Sequence, residues 1–263
     1  TRTTPGGLVV VVATDAGTSF DAPAHPLADE MSMYAAFDRL QCREGPGLEL
    51  FEKARKGRES EAYLSGVPYA DPPIAELVFT NPHSMGGPIE TGGIHEYTHV
   101  FQLSHRPTPT WMMEGGAVFL ASYLGDRNGW CEFAPDLENM LENLEYQLRE
   151  HTDFEDRNAF YQEFGIHQME DIDAASDEVK PYYWHLAYMT GSWAVAYMIH
   201  RSPTRSIGDF HTDFYALVDR VGWEDALVEY TGFPDKGAFY EGFSEFITLD
   251  PQARRKMLEE LRD

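Results

Sequence analysis

The feature that most constrains the fold is a break at Asn81 to Gly93, where Pro82, Gly86, Gly87, Pro88, Gly92 and Gly93 crowd into one short segment. Proline and glycine at that density interrupt both helix and strand, so a loop is expected there. The two sides of the break read differently. Before it the pattern is mixed: strands are expected at Leu8–Ala13 and Glu76–Thr80, with a helix at Ala28–Leu40. After it, apolar residues recur at helical spacing through Gly93–Leu103, Trp111–Leu124, Pro135–Glu150, Tyr182–His200, Asp209–Val221, Trp223–Tyr230, Phe239–Ile247 and Pro251–Leu261. The expected class is therefore α+β, with a small mixed β-sheet N-terminal region followed by a mostly helical C-terminal half. One domain over residues 1–263 is expected, with an α/β subdomain at 1–103 and a helical one at 104–263. The helix that opens at Gly93 stands at the junction, where ligand sites often form.

Charge narrows the partners. Forty-four acidic residues against 20 basic ones give a net charge of −24, which repels nucleic-acid phosphates. So acidic a surface fits a soluble or salt-adapted protein. No apolar run approaches the roughly 20 residues of a membrane helix, so no membrane span is expected. Cys42 and Cys131 are too few for a disulfide framework and form either one bridge or two unrelated thiols. The chain opens at Thr1 without Met, and a secreted or periplasmic location is expected, with a cytoplasmic one as the alternative. Nothing in the sequence fixes an oligomeric state.

Chemistry concentrates in His95-Glu96-Tyr97-Thr98-His99. On a helix, residues i and i+4 lie about 40° apart around the axis and one turn apart along it, so both imidazoles reach one metal ion. Glu96 projects beside them, placed to take a proton from a water. Two imidazoles and a carboxylate suit Zn2+ and leave its fourth position open. Ile94, Val100, Phe101 and Leu103 are apolar, so the helix is largely buried and its polar groups require compensation. Two residues compete for the third ligand. Glu114 lies in Trp111-Met112-Met113-Glu114-Gly115-Gly116-Ala117, an apolar run in which a carboxylate is costly unless a cation offsets it. His105 completes HExxHxxQxxH, which differs from the metzincin pattern in carrying Gln102 where that pattern has a sharply turning glycine.

HEYTH followed by WMMEGGA resembles the gluzincin metallopeptidases of the MA clan, which include thermolysin, a group of aminopeptidases and the bacterial collagenases. HEYTHVFQ is especially similar to the collagenase version. The resemblance covers about Gly92 to Leu124 well and the rest in outline. It implies a zincin-like fold, His95, His99 and Glu114 as zinc ligands and Glu96 as general base. Tyr188-Met189-Thr190-Gly191-Ser192 is similar to a Tyr-x-x-Gly stretch of the aminopeptidases, whose tyrosine supports the oxyanion. Tyr188 takes that role by resemblance, with Tyr183 and His185 as neighbours able to serve; a plain core tyrosine is the competing explanation. The sequence departs from the family in two ways. The His99-to-Glu114 gap is short, and Val118 stands where thermolysin-like enzymes carry an acid that orients a zinc histidine.

The function expected is hydrolysis of peptide bonds by a metal-activated water with Glu96 as base. No GxMEN-like segment for a free amino terminus is present and Glu90 is wrongly spaced for one, so endo- or oligopeptidase action is favoured. The partner is then a peptide or protein substrate. A small amide or ester, a biosynthetic intermediate, or a metal-holding binding module without catalysis are the alternatives. His83, after the second strand, could line a substrate cleft or be a plain loop residue.

Overall fold

The computed structural model describes the backbone of residues 8–13, 61–67, 74–80, 89–151 and 157–263, and the side chains of 91–149 and 159–263. The helix expected at Ala28–Leu40, Cys42 and His83 lie outside these residues, as does the side chain of Glu90. The chain divides into two compact units, Thr1–Phe101 and Gln102–Asp263. The boundary falls inside one continuous helix, α1, Ile89–Gln102.

In the first unit the backbone forms strands β1 (Leu8–Ala13), β2 (Glu61–Val67) and β3 (Ile74–Thr80). They pair in the order β1-β3-β2, with β1 parallel to β3 and β2 antiparallel to it. The α+β expectation is nevertheless corrected. The part of the molecule whose interior is described is 75% helical and contains no strand and no sheet. There, helices bury their apolar faces on one another, so the core closes helix on helix without a sheet to cover. A second correction concerns the loop. Gly92 and Gly93 lie within α1, which begins at Ile89. Glycine in a helix costs roughly 1 kcal/mol relative to alanine. That penalty is modest beside the burial of Val100 and its neighbours on the same helix.

The second unit continues with α2 (Thr110–Arg127), α3 (Phe133–His151), α4 (Arg157–Glu163) and α5 (Tyr183–Arg201). A π-helical turn at Phe210–Phe214 leads into α6 (Tyr215–Val221), followed by α7 (Trp223–Thr231), α8 (Lys236–Ile247) and α9 (Pro251–Glu259). Local chemistry explains several boundaries. Asp235 and Asp250 cap α8 and α9 by accepting from the amides of Ala238 (2.8 Å) and Ala253 (3.0 Å). Gly232, at φ +76°, takes the left-handed conformation that ends α7.

α5 is the centre of this unit. Leu186, Ala187, Trp193, Ala194, Val195, Ala196, Met198 and Ile199 are all fully buried along it. A helix apolar on nearly every side belongs in the middle of a core. α3, by contrast, buries one stripe, Leu137, Leu141, Leu144 and Leu148. Glu138 falls beside that stripe and is fully buried, where Arg254 of α9 meets it through two bonds, Nε to Oε1 at 3.0 Å and Nη2 to Oε2 at 2.6 Å. Arg254 also donates to the Ile247 carbonyl, and its guanidinium lies over the Trp193 ring. Cys131 is a free thiol that donates to the Ser122 carbonyl at 3.4 Å, and burial beside Asp136 pushes it up to about 11. No described helix is long and apolar enough to cross a membrane.

Candidate metal centre

On α1 the i, i+4 spacing does what helix geometry requires. The His95 and His99 Nε2 atoms stand 3.1 Å apart, and the rings meet edge to face with centroids separated by 4.8 Å. His99 and Glu96 are buried, His95 is half-buried, and Tyr97 turns to solvent. Thr98 is spent inside the helix, its hydroxyl donating to the Ile94 carbonyl at 2.8 Å.

Glu114 is buried in the first turns of α2. One nitrogen from each of His95 and His99 and one carboxylate oxygen of Glu114 lie within 4.8 Å of one another. Two nitrogens bound to tetrahedral zinc at about 2.0–2.1 Å are about 3.3 Å apart. The imidazole pair therefore already has the spacing of a shared ion, and the donor set is of the kind zinc takes. The rival third ligand is engaged elsewhere. His105 Nδ1 meets the Asp219 carboxylate at 3.0 Å, and the other oxygen of Asp219 accepts from the Arg106 amide at 2.9 Å.

Close packing of glycines sets where Glu114 stands. A Cβ on Gly115 would fall 2.1 Å from the Gly191 carbonyl carbon, and one on Gly191 would fall 2.5 Å from the Trp111 oxygen. Only glycine at both positions allows α2 and α5 to approach so closely. Theirs is the most extensive contact between any two described helices. Tyr183, at the head of α5, lies close to Thr110 at the head of α2. With the glycine contact further along both, the two helices run in the same direction. At 1.5 Å rise per residue, Tyr188, three positions before Gly191, and Glu114, one before Gly115, fall within about 3 Å of the same level. Tyr188 is half-buried there, Tyr183 is fully buried, and His185 is exposed.

Two residues that the motif reading left without a role act at the turn after α1. Gln102 is buried, and its side-chain amide donates to the Met113 carbonyl at 2.9 Å. Asp219 receives both His105 and Arg106. The available signal for Gln102 was a glutamine following an otherwise apolar helix; nothing local marked Asp219, which lies 114 residues from its histidine.

No protein-family model, no curated protein and no solved structure matches this chain, so the reading of the centre rests on its own residues.

Proposed function

We propose that this protein is a zinc-dependent hydrolase acting on peptide bonds, a metallopeptidase similar to the gluzincins, with endo- or oligopeptidase action favoured. The observation that carries it is the convergence of His95, His99 and Glu114, with the imidazole nitrogens 3.1 Å apart and all three ligand atoms within 4.8 Å. Exposed acids meet by chance on many surfaces, whereas this group includes a buried carboxylate and a buried histidine. Zinc held by these residues would polarise a substrate carbonyl and acidify a water to near neutral pH.

The remaining work falls to side chains. Glu96, buried and next to His95 on α1, accepts the proton of the attacking water and delivers it to the departing amine. Tyr188 donates a hydrogen bond to the oxyanion of the tetrahedral intermediate.

The test is zinc analysis of purified protein together with a peptide-library digest, each with and without a chelator. Glu96→Gln is expected to retain zinc at wild-type stoichiometry and to lose kcat by about 10²- to 10⁴-fold, the usual range for a missing general base. Undiminished turnover by that variant would remove Glu96 from the mechanism. Zinc bound without any chelator-sensitive cleavage would turn the assignment toward a non-peptide substrate or a binding module.

A further inference from the structure

We infer that Gln102 is a positioning residue for Glu114, holding the start of α2 so that this carboxylate stays with His95 and His99. The inference rests on the metal reading above and extends it to a residue outside the ligand set. Gln102 follows His99 by three residues on α1, so the side chain that fixes the next helix belongs to the same short element as the two imidazoles. Its amide donates to the Met113 carbonyl at 2.9 Å, and Met113 immediately precedes Glu114. The bond is partly buried, Gln102 itself being 5% exposed. Water therefore replaces it poorly when the donor is lost.

The amide is also confined on two further sides. It lies close enough to Gly116 that a Cβ there would come within 3.2 Å of Nε2. The buried hydroxyl of Tyr215 lies close to the same side chain. Partners behind a ligand govern metal affinity because they set its orientation, and losing one typically costs about 10- to 100-fold.

Gln102→Met keeps length and volume but removes the donor, and Gly116→Ala crowds the amide from the other side, so that it must give by a few tenths of an ångström. The alanine also favours helix, so it should raise or preserve thermal stability. Both variants, as full-length protein, are compared with wild type in zinc affinity by chelator competition and in thermal unfolding of the chelated form. The expected result is zinc affinity lowered about 10- to 100-fold in Gln102→Met. A smaller loss in the same direction is expected in Gly116→Ala without loss of stability. With substrate in hand, kcat at limiting zinc falls and KM stays. Wild-type zinc affinity in a folded Gln102→Met, or in Gly116→Ala if Gln102→Met does not fold, overturns the positioning role. If wild type itself takes up no zinc, or His99→Ala takes up as much as wild type, the metal reading fails instead, which separates the two failures.

Discussion

Two buried glutamates teach opposite lessons about what a carboxylate is doing inside a protein. Glu138 on α3 is met by Arg254 through two parallel bonds, both side chains almost wholly out of solvent. Arginine is permanently charged and offers a planar fork, so that pair is closed and has nothing left to give a ligand. Glu114 on α2 is buried to a similar degree but stands with two imidazoles, whose neutral forms offer lone pairs as well as protons. The partner decides the role. A guanidinium makes a clamp between helices, whereas histidines, in the function proposed above, would make a place for a cation.

Replacing each glutamate in turn separates the two roles. Glu114→Gln should weaken zinc binding by more than the 10- to 100-fold typical of losing a group behind a ligand, as read by chelator competition. It should leave unfolding of the zinc-free protein little changed, since the volume and one acceptor survive. Glu138→Ala should do the reverse. It strands the Arg254 guanidinium in the core, so denaturant unfolding should show a loss of about 3–5 kcal/mol with zinc affinity intact. Exchanging both Glu138 and Arg254 for Met should recover most of that stability, because the charge and its partner leave together. A persistent loss in the double variant would mean the pair contributes more than the burial of two apolar chains.

Gly115→Ala sits where both effects should appear together. The new methyl meets the Gly191 backbone, which cannot swing aside as a side chain can. Separation of α2 from α5 should then cost about 1–3 kcal/mol of stability and lower zinc affinity through the displaced Glu114. Unchanged zinc affinity would show that Glu114 is held independently of that crossing.

The smallest expected effect concerns a half-buried histidine that is not part of the centre. Burial holds His211 below its ordinary pKa, while its Nδ1–H bond to the Ile207 carbonyl acts in the opposite direction. The unfolded chain, with a pKa near 6.5, then binds the proton first as pH falls. Stability from neutral His211 is complete above about pH 6.5 and declines through the interval down to the folded-state pKa. Melting temperatures of wild type and His211→Gln between pH 7.5 and 5 should converge on acidification; parallel curves would assign the acid sensitivity to other groups.

Sequence by itself determined the motif, because the spacing of His95 and His99 fixes their relation on any helix. It also marked Glu114, through the cost of an acid in the apolar run from Trp111 to Leu120. Helical periodicity disclosed α3, whose single stripe of leucines contrasts with a polar far side. It disclosed α1 less well, since two glycines hid its first turn. What the sequence could not give was choice among partners distant in the chain. That His105 turns to Asp219 while Glu114 stands with the two imidazoles was decided by packing. So was the pairing of Glu138 with Arg254, 116 residues away. Periodicity reports which face of a helix is buried, but only the glycine contact of α2 with α5 and the bond from Gln102 to Met113 determine what that face meets.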